Sequence, residues 1–246
     1  MRLLGLTLIS LMLSGITLSA LPAFAQKTKS TNKKNIASNS NATLPLGDSQ
    51  RGQSKAENER CMECHGVDGQ GHGHVDGAGK IVKFAKLAGQ DFHYLFKQIR
   101  DFREGKRKDD FMQMMAKSVD DQDMADILAY FSAQKPMEAD RSDAVTVSKH
   151  AQALYLQGDP QRQILACASC HGEDARGIAE TVPGAKTKTS LGPRLAGQEW
   201  RYLQKQLLDW RSGQRKNQSD GVMNLVTRQL SDQEIDQLAS YLAAQP

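Results

Sequence analysis

The sequence predicts an all-α protein built from two tandem helical domains, and three observations lead to this prediction. Four separated stretches of the chain recur in the same order 106 to 111 residues later. Apolar residues in both copies follow helical spacing, and no alternating strand pattern of useful length is present. The length of 246 residues allows two small domains, since a domain usually has about 100–200 residues.

The repeat also predicts where the domains begin and end. Its matching segments are 61–66 with 167–172, 87–90 with 195–198, 94–108 with 202–216, and 121–130 with 232–241. Chance does not account for four matches in one order. We therefore expect homologous domains at 48–137 and 144–246, joined by a linker at 138–143.

Apolar spacing and capping residues predict the main helices of each domain. One helix face in the first domain carries Phe92, Leu95, Phe96, Ile99 and Phe102. The matching face in the second domain carries Trp200, Leu203, Leu207 and Trp210. Asp120 is expected to be the N-cap of the first domain's last helix, and Ser231 with Glu234 forms a capping box in the second. Segments 66–86 and 172–194 are expected to be long loops of the kind that wrap a ligand.

The N-terminus has the pattern of a secretory signal peptide over residues 1–25. Arg2 precedes an apolar run, and Ala23 with Ala25 forms a small-residue cleavage site. An uncleaved anchor is the alternative. Residues 26–47 are rich in Lys, Ser, Thr and Asn, which predicts a flexible basic tether.

Charge and hydropathy exclude two broad classes of protein. The formal charge of +4 belongs to the tail, because 48–246 has 27 basic and 28 acidic residues. A large nucleic-acid footprint is therefore not expected. The mean hydropathy of -0.54 argues against a chain that crosses a membrane several times.

All four cysteines lie in two Cys-x-x-Cys-His motifs, which are typical of covalent c-type haem attachment. One helical turn places two thiols where they can add to the two vinyl groups of a porphyrin, and the adjacent histidine reaches the iron. The attachment residues are Cys61, Cys64, Cys167 and Cys170, and the proximal ligands are His65 and His171. A zinc site or a redox dithiol would not require histidine after both pairs.

Methionine is the expected second axial ligand of each iron. Met223 is the only methionine after His171, and the repeat register of the closing helices selects Met112 in the first domain. Met114 and Met115 are interpreted as core-filling residues. His72 and His74 remain rival ligands in the first domain.

Residues around the haems are predicted from the same register. The carbonyl of Pro193 is the candidate acceptor for the second N–H of His171, and Ala85 stands at the equivalent place in the first domain. Trp210, Arg107 and Arg215 are candidate partners of the haem propionates. A packing aromatic and two solvated arginines are the alternative.

Taken as a set, these motifs resemble the dihaem cytochrome c4 family. Each Cys-x-x-Cys-His unit is followed by Leu-Ala-Gly-Gln, Tyr-Leu-x-Lys-Gln and Arg-x-Gly-x-Arg, and the resemblance covers about 48–246. It implies two cytochrome c-like helical domains that face each other, each wrapped around one covalent haem, and electron transport in the periplasm. It implies the ligand pairs His65 with Met112 and His171 with Met223. The basic tail, the loop at 72–74 and Ala85 depart from the family pattern.

The function expected from these features is electron transfer rather than catalysis. Two protein ligands on each iron leave no open coordination position, so outer-sphere transfer of single electrons is expected. The resemblance implies a periplasmic carrier that docks transiently on respiratory redox partners and donates toward a terminal oxidase or reductase, which can be membrane-bound. The alternatives are a dihaem electron-transfer subunit of a dehydrogenase or oxidase complex, and an enzyme with a displaceable iron ligand.

Overall fold

The computed structural model describes residues 44–71, 74–75, 81–82, 84–142, 145–181 and 188–246, which belong to one compact unit. The predicted signal peptide, the tether as far as residue 43, and His72 lie outside the described residues, as does the side chain of His74. Within the described ranges, no helix is both long and apolar enough to cross a membrane.

The described residues of the first half form five helices. They are α1 (Ser49–Asn58), α2 (Cys61–His65), α3 (Phe92–Arg103), α4 (Asp110–Ser118) and α5 (Asp121–Ser132). Aspartate starts four of them: the carboxylates of Asp48, Asp91, Asp109 and Asp120 accept hydrogen bonds from backbone N–H groups in the first turn. The predicted N-cap role of Asp120 is confirmed.

The second half repeats this order. Its helices are α6 (Lys149–Gln157), α7 (Ala168–His171), α8 (Trp200–Ser212), α9 (Val222–Thr227) and α10 (Asp232–Ala243), with a 3₁₀ turn at Pro160–Arg162. Ser231 and Glu234 form the predicted capping box at the start of α10. The matching order of helices confirms the predicted all-α class and its internal repeat.

Each long loop contains a short antiparallel strand pair that the sequence analysis did not predict. Strand β1 (His74–Val75) pairs with β2 (Ile81–Val82), and β3 (Ile178–Thr181) pairs with β4 (Lys188–Gly192). Valine, isoleucine and threonine favour extended backbone, but the runs are too short to give a periodic signal. The expectation of plain loops at 66–86 and 172–194 is therefore wrong in these segments.

The predicted helix faces lie against the cores. Leu95, Phe96 and Phe102 of α3 are buried, as are Leu203 and Trp210 of α8. Helix α3 packs against α5, and α8 packs against α10. The first helix of each half, α1 or α6, also packs against that closing helix. Leu95, Phe102, Leu203 and Trp210 of these faces also line the site described below.

The predicted linker and the two residues before it are held against both halves. Met137 is only 2% exposed, and the backbone N–H of Asp140 donates to the carbonyl of Ala243. A Cβ atom on Gly89 would lie 2.7 Å from Pro136, and one on Gly197 would lie 2.6 Å from the carbonyl oxygen of Met137. Glycine at these two places lets the linker approach closely.

The end of the predicted tether also packs on the first half. Leu44 contacts the core around α3 and α5, and Gln122 donates its side-chain amide to the carbonyl of Leu46. A Cβ atom on Gly47 would lie 2.2 Å from the carbonyl oxygen of Ala125. Residues 44–47 therefore belong with the folded part and not with a flexible tether.

A buried carboxylate at the start of α10 gives the second half a pH-dependent contribution to stability. Arg162, whose side chain is 38% exposed, bridges Asp159 and Glu234, and its hydrogen bonds to Glu234 lower the pKa of that carboxyl to about 2. Because this pKa lies below its value in the unfolded chain, the stabilisation is present above about pH 4.5 and is lost as the pH falls toward 2.

We expect Glu234→Gln to lower the free energy of unfolding by about 1 kcal/mol at pH 7, since solvent screens the pair, and by less at pH 3. Urea titrations at the two pH values measure this difference. Asp232→Asn is the matched control, because Asp232 lies in the same helical turn but its side chain is 86% exposed. A Glu234 effect that does not depend on pH would contradict the assignment.

Candidate functional site

A single cavity of about 940 Å³ is lined by both Cys-x-x-Cys-His motifs. Helices α2 and α7 carry the motifs, and α3, α4, α8 and α9 supply most of the other walls. Its surface includes the four cysteines and both histidines of the motifs: Cys61, Cys64, His65, Cys167, Cys170 and His171. The structure therefore brings together the predicted attachment residues and proximal ligands of both halves.

The four cysteines are half-buried free thiols. Burial raises the pKa of Cys61 and of Cys167 to about 11, so both are protonated at neutral pH. A redox dithiol instead needs a thiol of lowered pKa. Among the residues that the structure describes, no three His, Cys, Asp or Glu side chains come together as a metal site.

Both motif histidines are oriented by a backbone carbonyl. The Nδ1 atom of His65 lies 2.8 Å from the oxygen of Ala85, and Nδ1 of His171 lies 2.9 Å from the oxygen of Pro193. Since a carbonyl only accepts, Nδ1 carries the proton and Nε2 is the atom available to a metal. Burial lowers the pKa of both imidazoles, which keeps them neutral.

The backbone approaches the second histidine closely. A Cβ atom at residue 192 would lie 2.9 Å from Nδ1 of His171 and 2.5 Å from the carbonyl oxygen of Cys170. Only glycine fits there. In the first half Phe84 takes this place, with its ring edge-on to His65 at 6.5 Å.

Three methionines line the cavity, two from α4 and one from α9. They are Met112, Met115 and Met223. Met114 is 57% exposed, so its predicted core-filling role is wrong. Side-chain positions thus leave both Met112 and Met115 as candidates in the first half, and only the repeat register distinguishes them.

The three predicted propionate partners also line the cavity. Trp210, Arg107 and Arg215 are each less than 10% exposed, and the guanidinium of Arg215 stacks on Trp210 at 4.5 Å. Arg107 stacks on Phe102 in the same way. The alternative of two solvated arginines is therefore wrong.

Each arginine also binds across the interface between the halves. Arg107 donates to the side-chain oxygens of Tyr202 and Gln206, and Arg215 donates to those of Tyr94 and Gln98. These four partners were not predicted from the sequence. Their signal was the repeated Tyr-Leu-x-Lys-Gln block, which has the same spacing to Arg-x-Gly-x-Arg in both halves.

The donor set and the cavity fit two iron porphyrins. Each motif offers a pair of thiols and a neutral imidazole, and methionine thioethers stand on the same cavity surface. Its volume is near the upper end of the range of about 300–1,000 Å³ for ligand pockets, and its walls include Leu95, Leu203 and Leu242.

Comparison with known proteins agrees with this donor set. The family model for cytochrome c matches residues 49–135 and again 149–245. A cytochrome c4 from Pseudomonas aeruginosa is 36% identical over 197 residues, which cover 80% of this chain and 88% of that protein. The chain belongs to the cytochrome c4 family.

Two further proteins are similar to this chain. The crystal structure of reduced recombinant cytochrome c4 from Pseudomonas stutzeri superposes with a TM-score of 0.66 at 32% identity, covering 82% of this chain and all of that one. A thiosulfate dehydrogenase electron acceptor from Stutzerimonas stutzeri is 35% identical over 74% of this chain and 77% of its own. The protein is therefore a dihaem electron carrier with two covalently bound haem c groups, as the sequence predicted.

Proposed function

We propose that this protein is a periplasmic carrier of single electrons in which His65 with Met112, and His171 with Met223, would be the ligand pairs of the two irons. The observation that supports this proposal is the single cavity that both histidines and both methionines line. When bound, each haem supplies one-electron exchange between ferrous and ferric iron.

Residues of the chain would attach the two haems and keep other ligands away from their irons. The cysteine pairs of α2 and α7 would attach them covalently, and the backbone carbonyls of Ala85 and Pro193 would fix the planes of the two imidazoles. A methionine thioether as second ligand raises the reduction potential. With a histidine and a methionine of the chain holding each iron, the protein would exchange electrons without binding a substrate there.

The division of the chain into segments is also part of this proposal. We place the signal peptide at 1–25 and the tether at 26–43, followed by the two cytochrome domains with a linker near 138–143. Export by the signal peptide supports a periplasmic location. Transient docking on redox proteins, with donation toward a terminal oxidase or reductase, fits a carrier of this kind.

Replacing the methionines one at a time tests the ligand pairs. We expect Met112→Ala and Met223→Ala each to remove half of the long-wavelength charge-transfer absorption of ferric methionine–haem, and to lower the potential of one haem in an optical redox titration, because the thioether favours ferrous iron.

Met115→Ala is the matched control, since Met115 lies on the same helix and the same cavity surface. It should keep the whole band. A protein that loses the band through Met115 and not Met112 would overturn the register argument. Rapid binding of carbon monoxide by wild-type ferrous protein would point instead to an open iron and an enzymatic role.

A second candidate function is that of a dihaem acceptor subunit serving a dehydrogenase. Its support is the similarity to thiosulfate dehydrogenase electron acceptors, which extends over about three quarters of this chain. Stoichiometric co-purification of the chain with a dehydrogenase would favour this role. Elution as a free protein would favour the mobile carrier.

A further inference from the structure

The repeated Leu-Ala-Gly-Gln block ends in a glutamine that reaches into the other half. Gln90 and Gln198 are 4% and 5% exposed. The side-chain oxygen of Gln198 accepts from the N–H of Lys86 at 2.7 Å, and its amide donates to the Lys86 carbonyl at 2.9 Å. Gln90 makes the same pair of bonds to Arg194, at 3.0 and 2.9 Å.

The N–H groups held in this way belong to the peptide units that orient the proximal histidines. The N–H of Lys86 and the carbonyl of Ala85 are parts of one planar peptide group, and that carbonyl faces Nδ1 of His65 at 2.8 Å. In the second half, the N–H of Arg194 and the carbonyl of Pro193 stand in the same relation to His171. A continuous hydrogen-bonded path therefore runs from each glutamine to the histidine of the other half.

We propose that Gln90 and Gln198 are positioning residues, each of which fixes the proximal histidine of the opposite half. A bond to the N–H of a peptide group restricts the rotation of its carbonyl, and hydrogen bonds in a chain polarise one another. Gln198 thus sets the strength of the bond between His65 and Ala85, and Gln90 sets that between His171 and Pro193. The inference rests on the proposed proximal ligands.

The glutamines are themselves held in place. The side-chain oxygen of Gln198 also accepts from the N–H of Glu199, and that of Gln90 accepts from the N–H of Asp91. These bonds orient each amide before the halves meet, so the contact loses little side-chain entropy. The peptide groups that the two glutamines bind differ in their restraint. The ring of Pro193 fixes the φ angle of that residue, whereas Ala85 has no such restraint. We expect the larger effect at His65.

The test uses the dihaem protein labelled with ¹⁵N-histidine. Gln198→Met should shift the Nδ1–H resonance of His65 and speed its exchange with solvent by roughly tenfold, while the His171 resonance stays in place. A weaker hydrogen bond makes the imidazole a poorer donor to iron, so the potential of the first-half haem should rise. Gln90→Met should do the same to His171 and the second-half haem, to a smaller extent.

Three further variants separate positioning from general loosening of the structure. Gln198→Asn stays polar but is too short to reach Lys86, and should reproduce the methionine effect if Gln198→Met does not fold. Gln198→Glu keeps the oxygen that accepts from Lys86 and should leave the His65 resonance near its wild-type position. Gln70→Met is the matched control, because Gln70 makes a similar set of bonds to the linker backbone at Pro136 and Glu138.

A crossed pattern of shifts supports the proposal. Changes confined to the half that carries the substitution, or equal changes at both histidines, would overturn it. Gln70→Met should move neither resonance. A wild-type protein that lacks two iron-shifted histidine signals would instead refute the ligand assignment, which keeps that failure distinct.

Discussion

Replacing both Cys167 and Cys170 by alanine should leave a chain with one covalent haem and a largely unfolded second half. Helix α7 has only four residues, and the core of this half contains side chains that also form the cavity wall, among them Leu203 and Leu230. Without the porphyrin these apolar groups would face an unfilled space. The effect should therefore reach well beyond the attachment site.

The size of the cavity sets the expected magnitude. A cost of about 24 cal/mol per Å³ of void, applied to half of the 940 Å³, gives an upper bound of about 11 kcal/mol. This matches the entire stability of a typical domain, about 5–15 kcal/mol. Mass spectrometry would count the haems, and far-ultraviolet circular dichroism should show the loss of much of the signal from α6 to α10.

The reciprocal variant, with Cys61 and Cys64 replaced by alanine, is the matched control and should unfold the first half. If either double variant kept full helicity and one cooperative unfolding transition, the cavity walls would be self-supporting. The view that the porphyrins are part of the core would then have to be given up.

Local features of the fold could be predicted from sequence because their causes are local. Asp120 and the Ser231–Glu234 pair cap helices through bonds within one turn, so three or four residues contain the whole signal. The apolar face of α3 is likewise a property of one helix, and Leu95, Phe96 and Phe102 are buried as its spacing indicated. The donor residues of the two motifs come together for the same reason.

Features that depend on distant parts of the chain could not be predicted in this way. Arg107 was selected for its charge and register, but its partners Tyr202 and Gln206 lie in the other half, and the repeated spacing within each half does not show that the two blocks meet. The segment around Met137 packs closely against Gly89 and Gly197. These contacts exist only when the two halves are assembled, so the polar composition of the linker did not indicate them. Only the repeat register distinguishes Met112 from Met115 as the iron ligand, since the same helix face carries both.

Arg215→Leu is expected to separate the unfolding of the two halves. The guanidinium is 7% exposed and donates to Gln206 at 2.7 Å, to Gln98 at 3.0 Å and to Tyr94 at 3.3 Å. Leucine would leave the oxygens of the two glutamines buried with fewer donors, and desolvated acceptors are costly. We expect the free energy of unfolding to fall by about 2–5 kcal/mol, mainly because the interface between the halves is weakened.

Because the lost bonds to Gln98 and Tyr94 join the halves, the unfolding transition should change shape as well as midpoint. The wild-type holoprotein should unfold in one transition, and Arg215→Leu in two, as followed by calorimetry and by the absorption of each haem. Arg201→Leu provides the comparison: Arg201 also stacks on a tryptophan of α8, at 5.0 Å, but is exposed. Its loss should cost less than about 1 kcal/mol and leave the halves coupled. A single, merely shifted transition in Arg215→Leu would mean that Gln90, Gln198 and the linker suffice to join the halves, and that the arginines act chiefly within the cavity.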